Sequence, residues 1–320
     1  MAKMKSVIGI EMDAGAIRAV ELSKDGDGNV VSAFAKVPIE TGVIEEGFVR
    51  DTDNFYTILT EMMDKGGFKT QDIVVGVNNE NVIMRYASFP KVSDDKLRKM
   101  VLLQAQDFIP IPVAEMEIDY VVSGAGKDDD DQAVLNVLLV AARRSMLESL
   151  ITLFSASKLK VYDIDSSVLA WCRAALKYSE HKTLGVLKLS DDVINFVALD
   201  DNEIKMVRSL NVPERIAYTV KNVFCNPESS SDEDYSLIAS MLSNELSSSI
   251  SYYQMQGYAP IETVYFSALM EGENIVAQKL KEMAFVPVEV PMFCSEYETS
   301  NFAPAEYTGC ISLALEALEG

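Results

Sequence analysis

Histidine is nearly absent from this 320-residue sequence, and cysteine is sparse. The one histidine, His181, lies in the polar stretch of residues 179–182, which is typical of a solvated linker. A single histidine leaves almost no material for a His-based catalytic triad or a His-rich metal site. The cysteines form no C-x-x-C pair, which disfavours structural zinc and thioredoxin-like redox chemistry. We therefore expect reduced thiols and no metal site. The four cysteines are Cys172, Cys225, Cys294 and Cys310.

Basic side chains are also scarce, with 28 lysines and arginines against 49 aspartates and glutamates, and a net charge of -21. Nucleic acids are bound through Lys and Arg contacts to phosphate, so this balance disfavours a nucleic-acid partner. It also disfavours direct contact with anionic lipid. Two interpretations stay open: the acidic surface serves solubility alone, or it attracts a basic segment of a partner protein.

Long apolar runs are missing as well. No run approaches the roughly 20 residues that a membrane-spanning helix needs. Residues 1–5 lead towards the first strand without the apolar core of a signal peptide, so we expect a cytoplasmic protein. A hydrophobic content of 48% and a mean hydropathy of +0.08 predict a well-filled globular chain with room for two domains or one bilobed unit.

The organising feature that is present is a strand–turn–strand unit. An apolar strand, the turn Asp13-Ala14-Gly15-Ala16 and a second strand fill residues 7–22. Gly15 is the turn residue that we expect to take a positive φ. The pattern recurs 177 residues later (184 − 7), at residues 184–199, where the turn is Ser190-Asp191-Asp192. A unit repeated at this distance predicts two lobes, each opened by its own hairpin.

The residues of the opening unit resemble a known family. Gly9-Ile10, followed by Ile17-Arg18-Ala19-Val20-Glu21-Leu22, is similar to the start of the PilM family, the actin-like proteins of type IV pilus assembly in the PilM/FtsA group of the actin-like ATPase superfamily. Later segments agree in order, so the resemblance covers nearly the whole chain. They are residues 108–112 followed by 118–120, residues 141–146 followed by 159–161, and residues 245–246 followed by 249–253.

The resemblance implies an α/β fold, namely the actin-like bilobed fold with two RNase H-like lobes and an accessory α/β subdomain inserted in the first lobe. Within the second lobe, apolar spacing predicts a long helix over residues 236–254 after an acidic connection at 226–234. The implied boundaries are 1–80 for the first lobe, completed by 161–180 and 302–320, 81–160 for the accessory subdomain and 181–301 for the second lobe.

A nucleotide site between the lobes is also implied, but its residues depart from the family pattern. Such a site needs two small-residue turns that reach the phosphates, strand-end aspartates for Mg²⁺ and a glycine-rich loop for the base. Asp13 replaces a glycine, and at about 4 Å its repulsion of a phosphate charge is roughly 4 kcal/mol at an effective dielectric of about 20. Lys188 replaces the aspartate of the second strand end. The residues assigned to this degenerate site are Glu11, Asp13, Ala14, Gly15, Arg18, Lys188, Ser190, Asp191, Ser267 and Ala268.

These changes predict a pseudo-ATPase with no catalytic residue and no cofactor, although the family is associated with ATP and Mg²⁺. Glu11 and Lys188 occupy equivalent strand ends in the repeat. We predict that the lysine stands in for the missing cation and helps hold the lobes together. The alternative is that both side chains point to water, where such a pair contributes only about 0–1 kcal/mol.

The implied function is that of a cytoplasmic scaffold, peripheral at the inner face of the cytoplasmic membrane. In the family, the cytoplasmic N-terminal tail of the membrane protein PilN docks between the first lobe and the accessory subdomain. The scaffold links this protein to the pilus motor ATPase and reaches the membrane only through its partner. The candidate partner-binding residues are Pro110, Ile111 and Pro112.

Two other functions stay open. One is an actin-like ATPase that retains weak binding of ATP and Mg²⁺, which a nucleotide titration would distinguish. The other is an FtsA-like division protein that polymerises under the membrane. Residues 315–320 contain two glutamates and no basic residue. This disfavours the second alternative, because helices that bind anionic membranes are rich in Lys and Arg.

Overall fold

The structure, a computed structural model, describes residues 4–26, 28–127 and 130–319. Within these ranges the strands are β1 (Ser6–Met12), β2 (Ala16–Asp25), β3 (Gly28–Pro38), β4 (Ile44–Glu45), β5 (Phe48–Val49), β6 (Asp72–Val77), β7 (Val82–Pro90), β8 (Met116–Lys127), β9 (Ala133–Arg143), β10 (Lys160–Ser166), β11 (Thr183–Leu189), β12 (Val193–Asp200), β13 (Glu203–Asn211), β14 (Thr263–Ser267) and β15 (Val288–Glu289). The helices are α1 (Thr52–Gly66), α2 (Asp94–Phe108), α3 (Arg144–Ala156), α4 (Ser167–Tyr178), α5 (Glu214–Cys225), α6 (Asp232–Met255), α7 (Glu273–Met283) and α8 (Thr308–Glu319).

The first lobe is built on a five-stranded sheet in the order β10-β6-β1-β2-β3. Strands β1, β2 and β3 form an antiparallel meander, whereas β6 and β10 run parallel to β1. Both faces are buried, so successive residues of β1 enter different cores. Val7 packs with α4 and α8, and Ile8 and Ile10 pack with α1 and α3. The last helix, α8, thus completes the first lobe.

The second lobe repeats this topology, with a sheet in the order β13-β12-β11-β14-β15. Strands β11, β12 and β13 are antiparallel, and β14 runs parallel to β11. Glu11 pairs with Arg18 across the first hairpin, and Lys188, 177 residues later (188 − 11), pairs with Asn195 across the second. The repeat predicted from the sequence is therefore confirmed. Helices α5, α6 and α7 pack on one face of this sheet, and α4 packs on the other.

Helix α6 begins four residues before the predicted start at residue 236 (236 − 232). The side chain of Ser231 accepts a hydrogen bond from the amide of Asp234, and the side chain of Asp234 accepts one from the amide of Ser231. Acidic residues also favour the positive end of the helix dipole. The prediction of an acidic connection over 226–234 was therefore wrong at its end, because these carboxylates begin the helix.

The accessory subdomain is a three-stranded antiparallel sheet in the order β7-β9-β8, with α2 packed on it. Its apolar core is separate from those of the lobes. Helix α3 follows β9 directly, but Met146, Leu150 and Phe154 are buried in the first-lobe core with α1. Packing therefore ends the accessory unit near Arg143 rather than at residue 160, because the apolar face of α3 lies on the first lobe.

Candidate functional site

The ends of the two equivalent strands meet between the lobes. Nζ of Lys188, on β11, lies 3.3 Å from Oε1 of Glu11, on β1. Both residues are buried, with 2% and 0% exposure respectively. The ion pair predicted from the repeat is present, and the alternative in which both side chains point to water is wrong.

Two groups besides the charges enclose this pair. Lys188 Nζ lies 5.1 Å from the centre of the Trp171 ring, within the range of a cation–π interaction. Glu11 Oε2 lies against Gly309 at the start of α8, so close that a Cβ on Gly309 would be 2.0 Å from this oxygen. A helix N-terminus favours a nearby carboxylate. Oε2 has no hydrogen-bond partner within the described chain, so Glu11 depends on Lys188 and the helix end.

The side chain of Asp13 is hydrogen-bonded within its own hairpin turn. Its Oδ1 accepts hydrogen bonds from the amides of Gly15 and Ala16, at 2.8 and 2.9 Å. Its Oδ2 lies 3.7 Å from Nη1 of Arg18. Burial raises the pKa of Asp13, and the charge of Arg18 is the largest influence in the opposite direction. The carboxylate therefore occupies backbone amides of the kind that bind phosphate in a nucleotide-binding turn.

Gly15 does not take the positive φ that we predicted. A Cβ at this position would lie 2.1 Å from the carbonyl oxygen of Phe224, near the end of α5. The glycine is required by this close approach of two backbones, not by the geometry of the turn. Next to it, the thiol of Cys225 donates to the carbonyl of Ala14 at 3.3 Å. The first turn thus packs directly on the second lobe.

The second turn is hydrogen-bonded to residues that follow β6 in the first lobe. The side-chain amide of Asn78 donates to Ser190 Oγ at 3.0 Å, and its Oδ1 accepts from the side-chain amide of Asn195 at 2.7 Å. The backbone amide of Glu80 donates to Oδ2 of Asp192 at 3.0 Å. We did not predict the role of Asn78. The feature of the sequence that could have indicated this role is the run of polar residues directly after the buried strand β6.

Three carboxylates lie close together around these turns. Burial raises the pKa of Asp191 to about 6, and the charge of Asp13 is the next cause. Burial raises the pKa of Asp192 to about 7, and the charge of Asp191 adds to it. The surroundings already disfavour the charged form of these carboxylates. A phosphate placed here would add a further negative charge and would be disfavoured for the same reason.

The loop after β14 has a left-handed backbone at a residue other than glycine, in addition to Gly272 at its end. Leu269 has a φ of +51°, which a side chain disfavours. The guanidinium group of Arg18 donates to the carbonyl of Leu269, and the amide of Ala268 donates to Oε1 of Glu273 at 2.7 Å. Ser267 and Ala268 are both buried. The loop is thus tied to the first lobe by an arginine at the position where the resemblance implies nucleotide.

The cavities around the site differ greatly in volume. The cavity beside the two turns, lined by Asp13 and Asp191 among others, has a volume of about 20 Å³, enough for one water molecule. Two larger cavities of about 320 and 310 Å³ lie beneath the loop after β14 and share Arg18, Lys36 and Leu269. These volumes are at the lower end for small-molecule sites. Room for a ligand therefore exists next to the loop after β14, where the second of these cavities is also lined by Gly15 and Ala16 of the first turn, but not between Asp13 and Asp191.

A second candidate site lies along β10, an edge strand of the first-lobe sheet. A cavity of about 200 Å³ is lined by Tyr162, Asp163, Asp165 and Glu316, together with apolar residues. Burial raises the pKa of Asp163, and the charges of Asp165 and of Asp119 on β8 add to the rise. Strand β8 is an edge strand of the accessory sheet. The cavity itself is lined by first-lobe residues, and two of its carboxylates, Asp165 and Glu316, pair with Arg173.

The predicted partner-binding segment is ordered but does not line this cavity. The side-chain amide of Gln106 donates to the carbonyls of Ile109 and Ile111, and its oxygen accepts from the amide of Val113. Ile111 packs on the accessory core, whereas Pro110 is exposed.

No helix among residues 4–26, 28–127 and 130–319 is long and apolar enough to cross a membrane.

Comparisons with known proteins agree with this architecture. A family model described as type IV pilus assembly protein PilM matches residues 9–211. A solved structure described as a PilM-PilN type IV pilus biogenesis complex is similar, with a TM-score of 0.76 and 18% identity over 98% of this chain and 99% of that chain. The ethanolamine utilization protein EutJ from Carboxydothermus hydrogenoformans is similar with a TM-score of 0.52 and 11% identity over 97% and 90%. The predicted α/β actin-like fold is confirmed.

Proposed function

Because the chain belongs to the PilM family of type IV pilus assembly proteins, we propose that it is a scaffold of pilus assembly whose lobes stay together without nucleotide. The observation that carries this proposal is the closed site between the lobes. Lys188 pairs with Glu11 where the resemblance implies a cation, and Asp13 occupies the amides of its own turn. The protein is then a pseudo-ATPase, and ATP and Mg²⁺ are not its cofactors.

Charge argues against a bound triphosphate at the two turns, and little space is left between Asp13 and Asp191. The phosphates would meet Asp13 and Asp191, beside a cavity that holds about one water molecule. Calorimetric titration with Mg-ATP tests this part of the proposal. We expect a Kd weaker than about 100 μM, roughly -5.5 kcal/mol. Tighter binding would instead favour an actin-like ATPase that uses the cavities beneath the loop after β14.

The proposed partner is the cytoplasmic N-terminal tail of a PilN-like inner-membrane protein. Support comes from the similar chain, which was solved as a PilM-PilN complex, and from the acidic surface along β10. An edge strand offers main-chain groups to an extended peptide. Asp163 would favour a tail with basic residues and would make association sensitive to salt, whereas Asp165 and Glu316 already pair with Arg173. Through this tail the scaffold would be peripheral to the cytoplasmic membrane and would link its partner to the pilus motor ATPase.

A fluorescent peptide copied from that tail tests the partner and its position separately. We expect anisotropy titrations to give saturable binding that weakens in 0.5 M salt. Asp163→Lys should reduce the affinity at least tenfold. Glu282→Lys makes the same charge change at an exposed position of helix α7 and should change the affinity less than twofold. No binding would contradict the proposed partner, whereas equal binding by both variants would contradict the proposed position.

A further inference from the structure

A further cavity lies at the other edge of the first-lobe sheet. It has a volume of about 510 Å³ and runs beside β3, which among the described strands pairs with β2 alone. Six consecutive residues, 29–34, line it. A cavity over one face of a strand would be lined by alternate residues, so this one follows the strand edge. We call it the β3 groove; its other walls are the end of α1 and residues 296–302.

The lining part of β3 has free main-chain groups. Within the part of the chain that the structure describes, residues 29–34 make no backbone hydrogen bond outside their pairing with β2. At about 3.3 Å per residue, the six residues span roughly 17 Å from the first to the last. This length accommodates an extended segment of about five residues.

Edge strands are usually protected by charges, prolines or bulges. Lys36 and Pro38 protect the C-terminal half of β3, but residues 29–34 contain no charged residue and no proline. The register shift opposite Glu21 and Leu22 leaves Ser32 as an extra residue in this half. Such a bulge interrupts a long ladder. The edge therefore suits a short segment and does not suit continuous pairing with the same strand of a second copy.

The floor and rim of the groove indicate which side chains it accepts. Phe34 and Phe302 have ring centres 4.6 Å apart and provide an apolar floor. Glu296 and Glu298 are exposed at the rim; Glu296 pairs with Lys177 at 3.9 Å and accepts a hydrogen bond from Tyr178, whereas Glu298 has no ion-pair partner among the described residues. The one basic residue of the lining, Lys65, is paired with Glu61. Glu298 therefore gives the rim an unpaired negative charge over an apolar floor.

We propose that the β3 groove binds an extended segment of a partner protein, in which basic and apolar side chains alternate and whose main chain adds as a strand to β3. Strand addition takes its affinity from main-chain hydrogen bonds and its selectivity from alternate side chains. This site is at the edge opposite β10, so the scaffold would hold two peptides on one sheet. The proposal does not depend on the identity of the tail that binds at β10.

The probe is a fluorescent seven-residue peptide of alternating valine and lysine, titrated into the full chain by anisotropy at low salt. A second peptide carries N-methyl groups on alternate amides, which removes donors but keeps the side chains. Two protein variants localise the binding. Glu298→Lys changes the rim of the β3 groove. Glu282→Lys makes the same charge change on α7, away from the β3 groove and from the cavity along β10.

We expect saturable binding of the first peptide and at least tenfold weaker binding of the N-methylated one. Glu298→Lys should weaken binding at least fivefold and Glu282→Lys less than twofold. Amide hydrogen exchange should slow in residues 29–34 of the bound protein. Absence of binding at 1 mM peptide, equal binding of both peptides, equal effects of both variants, or slowing at residues 160–166 instead would each overturn the proposal.

Discussion

Replacement of Lys188 by methionine tests whether the buried ion pair holds the lobes together. The substitution keeps an unbranched side chain but leaves Glu11 buried without a cation, and one of its oxygens already lacks a hydrogen bond. Breaking one side of a buried pair costs about 3–5 kcal/mol. In a chain of this length each kcal/mol lowers the Tm by about 2 °C, so we expect thermal unfolding followed by circular dichroism to show a decrease of roughly 6–10 °C. The radius of gyration from small-angle scattering should also increase.

Two matched variants separate this pair from the rest of the interface. Glu11→Leu combined with Lys188→Met removes both charges, and the free energy of unfolding should recover to within about 1–2 kcal/mol of the wild type. Lys221→Met breaks another pair between the lobes, with Glu45 at 2.8 Å, but these side chains are 32% and 44% exposed. It should cost no more than about 1 kcal/mol. Equal losses in Lys188→Met and Lys221→Met would refute the reasoning.

Three further predictions concern the same site. Gly309→Ala should lower the Tm because its Cβ would lie 2.0 Å from a buried carboxylate oxygen, whereas Gly28→Ala, with no atom nearer than 3.8 Å, should leave the Tm unchanged. Burial raises the pKa of Asp192 from 3.8 to about 7, so the folded state binds this proton more tightly than the unfolded chain and loses stability as the pH rises between these values. Asp192→Asn should therefore increase the free energy of urea unfolding at about pH 8 and leave it unchanged near pH 3. Lys188→Asp should not create Mg-ATP binding in a calorimetric titration, since Asp13 still occupies the turn amides.

The bilobed fold was predictable because it is encoded in local patterns that occur twice. Each hairpin has two continuously buried strands around a polar turn, and the 177-residue offset brings Glu11 and Lys188 to equivalent positions (188 − 11). Two strand ends that face one another, one acidic and one basic, make an ion pair the natural expectation. The pair needed no information beyond the repeat and the resemblance, and the structure confirms it.

The remaining contacts depended on pairings between distant segments. Gly15 is adjacent to Phe224 only after the lobes close, so the turn alone suggested a positive φ where the structure has a close backbone contact. Asp13 could face a phosphate or its own amides, and burial with Arg18 decides for the amides. Asn78 lies 112 residues from Ser190, and nothing in its local sequence indicates that partner.

A lysine in the place of a cation changes how the lobes are stabilised. A bound ligand stabilises a closed form by RT ln(1 + [L]/Kd), so its effect varies with concentration. Lys188 is part of the chain, and its pairing with Glu11 does not depend on any concentration. The β3 groove needs this constancy, because β3 and the end of α1 belong to the first lobe, whereas its third wall, residues 296–302, leads from the second lobe back to α8. A ligand-independent closure would keep both walls in place, which is what a scaffold that holds two partners on one sheet requires.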